Sequence, residues 1–315
     1  MPSNNEAVQV SSKEEAEKLL DKYDHFLFDC DGVIWTGPAG DKLTENIVEA
    51  LSFLREKGKH VAFVTNNATS SRKQFQKKFK DFGIEVELEN IVTSGSATAQ
   101  HLKEEILPKR EKEGKKTGIY LIGQEAIEEE LRECGLKWKG GTCMEDDVLL
   151  KCQDFSSIEP DSDIGVVVYS FQMRINYKQL AKAYNYIAQN EDCQLILTND
   201  DMKMNLHHGG FAPGEGALAA VLLSALPEGE KPLIVGKPNQ PLLDIAQAAL
   251  KFEPRRTLFV GDRLGTDISF AKRGQLDSLL VLSGLQTKEE AYDLKGKEQP
   301  EWIADCVGKL LMAKE

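Results

Sequence analysis

Short apolar runs alternate with stretches of helical periodicity through the first third of the chain. The apolar runs predict buried strands at His25–Asp29, His60–Thr65 and Ile91–Thr93. Between them, apolar residues at helical spacing predict helices over Leu43–Lys57 and Arg72–Phe82, each ended by a glycine. Strands that are apolar throughout and separated by helices are typical of a parallel sheet covered on both faces.

The middle of the chain carries a second set of such elements. It begins near residue 107 with the charged run PKREKEGKK, which predicts a solvated surface linker. Beyond the run, the same patterns predict alternating strands and helices at Thr117–Ile122, Gln124–Cys134, Ile164–Tyr169, Tyr177–Gln189, Gln194–Thr198 and Gly216–Leu226. The first rhythm then resumes, with strands predicted at Pro232–Val235, Thr257–Val260 and Ser278–Leu282.

This order indicates that the middle block is inserted into the first unit. We therefore predict an α/β protein with a doubly wound, Rossmann-like parallel-sheet core and an inserted α/β cap domain. The predicted boundaries are 1–106 and 231–315 for the two parts of the core and 107–230 for the cap. A further helix is predicted at Ser12–Tyr23 from its Ser-x-x-Glu start.

Composition narrows the classes of partner. The 315 residues include 39 Lys plus Arg against 51 Asp plus Glu, a formal net charge of −12. Nucleic acids and anionic membranes attract basic surfaces, so neither is expected as the main partner. The six cysteines form no CxxC pair, and the first residues have neither the basic start nor the apolar core of a signal peptide. We expect reduced thiols and a cytoplasmic location.

Polar and charged residues follow four strands of the predicted core. Because the carboxyl ends of parallel strands share one edge of a sheet, these residues are expected to meet there. The four groups are Asp29-Cys30-Asp31-Gly32, Thr65-Asn66-Asn67, Gly236-Lys237-Pro238, and Gly261-Asp262-Arg263 with Asp267.

The chemistry of these groups points to phosphoryl transfer. Carboxylates gathered at one edge repel one another unless a hard cation such as Mg²⁺ lies between them. A lysine among them favours an anionic substrate, with phosphate the obvious candidate. The turn after Thr65 is expected to lead into a helix whose free N–H groups hold phosphoryl oxygens.

Each group alone has a plainer interpretation. The DxDG sequence could be a strand-end turn or the start of a calcium loop, although an EF-hand needs more acids. Thr65-Asn66 could be a helix cap, and GKP could be a surface turn, since it lacks the remainder of a Walker A motif. GDRLGTD could equally be a solvated loop. The coincidence of all four at one edge favours the phosphoryl-transfer site.

Taken together, DCDGVIW, VTNN, GKPN and VGDRLGTD resemble, in this order, the four motifs of the haloacid dehalogenase (HAD) superfamily. The insert between the second and third motifs resembles the large α/β cap of one subgroup. That subgroup contains p-nitrophenylphosphatase, phosphoglycolate phosphatase and pyridoxal phosphate phosphatase. The resemblance covers nearly the whole chain after residue 20.

The resemblance implies a role for each core residue. Asp29 would be the nucleophile that forms an aspartyl-phosphate, and Asp31 the general acid and then the general base. Mg²⁺ would be held by the side chains of Asp29 and Asp262 and by the backbone carbonyl of Asp31. Lys237 would offset the charge of the nucleophile and the phosphate, and Asp267 would orient Lys237 or metal-bound water.

Further residues have implied roles in binding. Gly32 would let the chain turn away from the site. Thr65, Asn66 and Asn67 would lie at the phosphoryl oxygens. In the cap, the resemblance implies that Asn199 and Asp201 shape the loop or face the substrate. His207, beside His208 in the following loop, could contact an anionic substrate or could be solvated.

These roles imply a Mg²⁺-dependent phosphatase of small phosphorylated metabolites. We expect 2-phosphoglycolate as the substrate, with p-nitrophenyl phosphate as an artificial one, and pyridoxal 5′-phosphate or glycerol phosphate as alternatives. A non-catalytic sensor of phosphometabolites is the alternative of another class, although the motif acids and lysine are all present. The resemblance also implies a homodimer formed through the cap.

Overall fold

The computed structural model describes residues 7–37, 40–151, 155–205, 210–294 and 299–314. Within these ranges the strands are β1 (Val8–Gln9), β2 (His25–Phe28), β3 (Trp35–Thr36), β4 (Lys42–Leu43), β5 (His60–Thr65), β6 (Ile91–Thr93), β7 (Gly118–Ile122), β8 (Lys139–Gly140), β9 (Ile164–Tyr169), β10 (Gln194–Leu197), β11 (Lys203–Asn205), β12 (Phe211–Pro213), β13 (Leu233–Ile234), β14 (Thr257–Gly261), β15 (Asp277–Val281) and β16 (Trp302–Ala304).

The helices of the same ranges are α1 (Lys13–Lys22), α2 (Ile47–Glu56), α3 (Arg72–Asp81), α4 (Ser94–His101), α5 (Leu107–Lys112), α6 (Glu125–Glu133), α7 (Tyr177–Gln189), α8 (Glu215–Leu218), α9 (Ala220–Leu223), α10 (Gln240–Leu250), α11 (Ser269–Arg273) and α12 (Lys288–Asp293). None of them combines the length and the hydropathy that a membrane-spanning helix requires.

The core is a parallel sheet in the order β1-β16-β15-β14-β2-β5-β6. Alternation along β2 explains its two covered faces, since Phe26 and Phe28 join one apolar cluster and Leu27 joins the other. The first cluster includes residues of α1, α2 and α3, and the second includes residues of α4, α10 and α11. The predicted doubly wound α/β core is confirmed.

A second parallel sheet, in the order β13-β10-β9-β7-β8, forms the inserted unit. One face of β9, with Val166 and Val168, belongs to the same apolar cluster as the core residue Val64. The opposite face packs against α7 through Val167 and Tyr169. A separate sheet inserted into the core chain is therefore confirmed, and a shared apolar cluster connects it to the core.

The strand predicted at residues 232–235 belongs to the cap sheet and not to the core sheet. We assigned this strand to the core, but Leu233 pairs with Ile196 and Ile234 with Leu197, so β13 is an edge of the cap sheet. The backbone N–H of Val235 extends this pairing by donating to the carbonyl of Leu197 at 2.9 Å. Only after this pairing does the chain return to the core.

The run PKREKEGKK is exposed over most of its length, as predicted for a surface segment, but it is not a linker, because its first five residues are helical. The chain is helical from Ser94 to Lys112, because α4 continues through a π-helical turn at Leu102–Ile106 into α5. Pro108, which has no N–H to donate, lies two residues after this π-helical turn. Arg110 is buried and donates from Nε to the carbonyl of Lys116 at 2.7 Å, which ties the end of the charged run back to α5.

Two smaller differences concern the chain ends and the cap. The pairing of β1 with β16 adds an edge to the core sheet that the sequence analysis did not predict. The helix predicted at Gly216–Leu226 is divided into α8 and α9 by Ala219.

Candidate active site

The carboxyl ends of β2, β5 and β14 open into a cavity of roughly 360 Å³ that the cap covers. Most of the residues predicted for the site line this cavity. They are Asp29, Asp31, Gly32, Thr65, Asn66, Asn67, Lys237 and Asp262 from the core, with Asn199 and Asp201 from the cap. His207, the remaining predicted cap residue, lies outside the described residues.

Lys237 is the buried cation of the site. Its Nζ lies 2.9 Å from Asp29 Oδ1 and 2.7 Å from Asp267 Oδ1, and it donates to the carbonyl of Val64 at 3.0 Å. Burial alone would lower the pKa of Lys237, but the carboxylates of Asp267 and Asp29 outweigh burial and raise the pKa. Lys237 therefore stays charged.

Asp29 is enclosed by charges of both signs. Burial raises the pKa of Asp29 well above its usual range, and Lys237 opposes this rise. Asp267, Asp262 and Asp31 act in the same direction as burial. One lysine is thus set against several carboxylates, and the site carries an excess of negative charge.

The carboxylates of Asp29, Asp262 and Asp267 converge. One oxygen of each lies within 4.8 Å of the others, and the three residues are 7%, 2% and 0% exposed. Asp267 uses both of its oxygens within the protein, because Oδ1 contacts Lys237 and Oδ2 accepts the backbone N–H groups of Asp262 and Arg263 at 3.1 Å. Asp267 consequently positions Lys237 and the β14 loop.

Asp262 has a carboxylate oxygen that is available to a metal ion. Its Oδ2 accepts the N–H of Leu285 at 3.0 Å, whereas its buried Oδ1 has no hydrogen-bond partner among the described residues. Burial and the nearby Asp267 raise the pKa of Asp262 to about 7. A buried, unpartnered carboxylate oxygen beside further carboxylates fits a hard divalent cation, and Asp29 and Asp262 are the side chains that could hold it.

Two glycines make room for the Asp262 carboxylate. Gly32 has a φ of +87°, and a Cβ there would lie 2.4 Å from Asp262 Oδ2. A Cβ at Gly284 would lie 1.9 Å from the same oxygen. Gly32 therefore permits both the turn after Asp31 and the close approach of β14. The sequence analysis missed Gly284, which no motif marks.

Asn66 connects the second and third motifs. Its Oδ1 accepts the N–H of Lys237 at 2.6 Å, and its Nδ2 donates to the carbonyl of Lys237 at 3.1 Å. The amide thus holds the loop that carries the lysine. The resemblance implied a place at the phosphoryl oxygens for this side chain, which here is engaged with the backbone. Neighbouring Thr65 accepts the N–H of Asn67 on its hydroxyl at 3.1 Å.

Asp31 faces the cavity and is held from two sides. Asn67 Nδ2 donates to Asp31 Oδ2 at 2.9 Å, and the indole Nε1 of Trp35 donates to Asp31 Oδ1 at 2.7 Å. Trp35 is fully buried and is absent from the cavity lining. Trp35 is the last residue of the first motif, DCDGVIW, and the motif predicts no role for it.

The expectation that a helix following Thr65 offers its N–H groups to phosphate is wrong. Helix α3 begins at Arg72, and the backbone N–H of Arg72 donates to Glu130 of the cap at 2.7 Å. The side chain of Arg72 bonds the same carboxylate at 2.8 Å, and the hydroxyl of Ser71 contacts Glu129. Carboxylates of the acidic cap helix α6 therefore occupy the N-terminus of α3, where phosphate was expected.

Asn199 and Asp201 of the cap form a hydrogen-bonded roof over the cavity. Asn199 donates from Nδ2 to the carbonyl of Asn66 at 3.0 Å and accepts the N–H of Asp201 at 3.0 Å. Asp201 forms an ion pair with Arg263 of the core at 3.0 Å. Both predicted cap residues therefore contact the core.

Glu215 is a further cap residue at the cavity that the sequence analysis missed. It is buried, bonded to the hydroxyl of Thr198, and burial raises its pKa to about 8. The signal in the sequence is a single acid within the apolar stretch GEGALAAVLL. An acid in such a run is costly unless it is bonded or neutral, and such a cost is a reason to examine it for function.

Comparison with known proteins agrees with this geometry. The model of the family described as haloacid dehalogenase-like hydrolase matches residues 26–137, and a second model of HAD-like hydrolases matches residues 234–310. A 4-nitrophenylphosphatase of Schizosaccharomyces pombe is 35% identical over 306 residues, which cover 96% of this chain and 98% of the relative. The chloroplastic phosphoglycolate phosphatase 1A of Arabidopsis thaliana is 36% identical over 98% of this chain and 82% of its own length.

A solved structure shares both the core and the cap. The glycerol phosphate phosphatase of Mycobacterium tuberculosis, crystallised with magnesium, is 27% identical and superposes with a TM-score of 0.74. The match covers 93% of this chain and 78% of that one. With both halves of the core matched by family models and relatives aligned along nearly its whole length, this chain belongs to the haloacid dehalogenase-like hydrolases.

Proposed function

We propose that this protein is a Mg²⁺-dependent phosphatase that hydrolyses small phosphate monoesters through an aspartyl-phosphate. The coarser class, a phosphoric monoester hydrolase of the HAD type, follows from the motifs and from the relatives. The observation that carries the proposal is the buried contact between Asp29 and Lys237 next to the unpartnered oxygen of Asp262. Asp29, Lys237 and Asp262 line one cavity, which supports roles for them as nucleophile, fixed cation and metal ligand.

Two steps account for the chemistry. Asp29 attacks phosphorus while the bond from phosphorus to the leaving oxygen breaks, and Asp31 gives that oxygen its proton. Asp31 then removes a proton from water as the water oxygen attacks the aspartyl-phosphate. The bond between phosphorus and Asp29 breaks, inorganic phosphate leaves, and both carboxyl groups return to their first state.

The remaining residues prepare these steps. Lys237 favours the ionised form of Asp29, because the ion pair opposes part of the rise in pKa that burial causes. Asp267 fixes Lys237 in place. Asp29 and Asp262 would hold Mg²⁺, which when bound supplies positive charge to offset the charge on the phosphoryl oxygens. The cap roof limits the cavity to small substrates.

We propose 2-phosphoglycolate as the substrate. Besides Lys237, two cationic side chains line the cavity, Arg263 from the core and Lys203 from the cap, and a substrate carboxylate would complement them. The Arabidopsis relative named for this substrate supports the choice.

Glycerol phosphate is the second candidate. Glu215 and Asn199 line the same cavity and offer hydrogen bonds to hydroxyl groups, and the Mycobacterium structure is of a glycerol phosphate phosphatase. A buried carboxyl at the roof would also disfavour an anionic substrate when it is ionised.

Phosphate release from a panel of esters tests both levels of the proposal. The panel contains 2-phosphoglycolate, glycerol 3-phosphate, pyridoxal 5′-phosphate and p-nitrophenyl phosphate, each with Mg²⁺, with excess chelator, and with Asp29→Asn. We expect turnover that both controls abolish and the highest kcat/KM for 2-phosphoglycolate. Full activity in Asp29→Asn would overturn the nucleophile, and binding without turnover of any ester would favour a sensor.

We also propose that two copies associate through the cap, as the family resemblance implies. Several large apolar side chains of the cap are exposed, among them Met144, Leu149, Phe155 and Tyr177. Sedimentation velocity is expected to give twice the chain mass of 35.1 kDa. A species of the single-chain mass at micromolar concentration would contradict the proposal.

A further inference from the structure

We propose that Trp35 positions the general acid/base, so that its indole N–H controls proton transfer to the leaving group. The inference rests on the proposed phosphatase reaction, in which Asp31 protonates the leaving oxygen. Trp35 does not line the cavity, so it acts through Asp31 and is a positioning residue.

The geometry gives Asp31 two fixed donors. The indole Nε1 lies 2.7 Å from Oδ1, and the amide Nδ2 of Asn67 lies 2.9 Å from Oδ2. One donor on each oxygen fixes both the plane and the rotation of the carboxyl group. A carboxylate oxygen has two acceptor sites, so each keeps one for the proton that is exchanged with substrate. A tight turn brings the donor to this place, since the N–H of Gly32 bonds the carbonyl of Trp35 at 2.7 Å.

The indole is itself immobile. Trp35 is fully buried, and its ring lies against three phenylalanine rings at centroid distances of 6.0, 5.0 and 6.1 Å, which belong to Phe75, Phe79 and Phe82. Such packing leaves a side chain with little rotational freedom. The position of the N–H, and with it that of Asp31, is therefore set by the aromatic cluster under the site.

A cation strengthens this donor. Lys78 Nζ lies 3.9 Å from the centroid of the Trp35 ring. A positive charge over the face of an indole draws electron density from the ring and makes its N–H a better donor. The first and second motifs are thereby connected below the cavity, since Lys78 and Phe75 both belong to α3, which follows the second motif.

This role predicts a dependence on the leaving group. An alkoxide such as that of glycerol needs a proton as the phosphorus–oxygen bond breaks, whereas nitrophenolate leaves without one. Trp35→Phe removes the N–H but keeps an aromatic ring in the cluster. We expect kcat/KM to fall about tenfold for glycerol 3-phosphate and less than about threefold for p-nitrophenyl phosphate.

Two further variants separate positioning from packing. Phe53→Leu removes volume from the same apolar cluster but not from the rings that hold the indole, so it should lower the melting temperature while changing both substrates by the same factor. Trp35→Phe added to Asp31→Asn should cost little more than Asp31→Asn alone, because the indole would then have no carboxylate to position. Equal losses on both substrates, or full additivity with Asp31→Asn, would overturn the proposal.

A readout that needs no turnover keeps this test separate from the proposed function. The indole Nε1–H resonance of Trp35, assigned by its loss in Trp35→Phe, should lie downfield and should move upfield in Asp31→Asn. If wild type hydrolyses no ester, the phosphatase proposal fails, while this resonance still reports whether the indole holds Asp31. A resonance that Asp31→Asn leaves in place would overturn the positioning role even in an active enzyme.

Discussion

Replacing Lys237 by methionine tests the electrostatic design of the site most directly. Methionine keeps much of the length of the side chain but removes its charge and its donors. Three buried carboxylates, Asp29, Asp262 and Asp267, would then face one another without the lysine. We expect both a loss of activity and a large loss of stability.

The size of the stability loss follows from the contacts. Removing one partner of a buried ion pair costs about 3–5 kcal/mol, because the other charge is left buried and uncompensated. The carbonyl of Val64, which accepts from Lys237 at 3.0 Å, would lose its donor at a cost of about 1 kcal/mol. For a chain of this size the melting temperature should fall by roughly 10 °C or more.

Calorimetry with chelator present is the assay, since a divalent cation could otherwise replace the missing charge. The matched variant is Lys237→Met combined with Asp267→Asn, which removes one negative charge together with the positive one. If electrostatics dominate, the double variant should melt several degrees above Lys237→Met. A double variant that melts no higher than the single one would refute the reasoning and assign the loss to packing.

Three other perturbations have defined outcomes. Glu130→Gln removes the charge of the carboxylate that binds the first turn of α3, so it should lower the melting temperature by a few degrees and make Arg72 more accessible to protease or hydrogen exchange. An unchanged exchange rate at Arg72 would show that other contacts hold the cap. Glu215→Gln tests the raised pKa of Glu215. Between pH 4.5 and about 8 the folded protein binds a proton on Glu215 that the unfolded chain does not, so the stability of the wild type should fall as pH rises through this range, by at most about 1.4 kcal/mol per pH unit. In urea titrations the Gln variant should lack this dependence on pH. Asp262→Asn should abolish the rise in melting temperature that Mg²⁺ gives the wild type, measured without substrate; an undiminished rise would place the metal at other ligands.

Much of the core could be predicted because its strands are apolar on both faces. The strands predicted at His25–Asp29, His60–Thr65 and Thr257–Val260 agree with the structure to within one residue. These runs are buried by helices on each side, so their composition reports the sheet directly. The motif residues at their ends followed from the rule that parallel strands end at one edge.

The missed helix Ser94–Lys112 shows where pattern fails. Its first turns, SGSATA, are small and polar yet buried, so no apolar stripe marks them. Their hydroxyl groups are satisfied within the fold, as when Thr98 donates to the carbonyl of Ser94 at 2.7 Å. The close approach of other elements to these small side chains, not their hydropathy, explains the burial.

The missed site residues act through contacts that no local pattern encodes. Arg263 was named beside Asp262 but given no role, and it pairs with Asp201 of the cap, while Glu215 reaches the cavity from an apolar helix. The role of Trp35 depends on the hydrogen bond from its indole N–H to Asp31, and this contact has no signature in the sequence. Each of these residues contacts a partner that only the tertiary fold brings close. The motif acids, in contrast, directly follow strands that are recognisable from their apolar sequence.

The order of strands in the core sheet has a consequence for synthesis on the ribosome. β2 is made early, yet its neighbour β14 comes after the whole insert, with Thr257 paired to His25. The cap sheet uses one continuous stretch, from β7 to β13, and can close before β14 exists. Until β14 is made, the growing chain therefore carries a core whose β2 has an unpaired, apolar edge. Only the residues from β14 onward, the last sixty or so, complete the site. A chain truncated before β14 would therefore retain the cap residues, but its nucleophile would not be held in place.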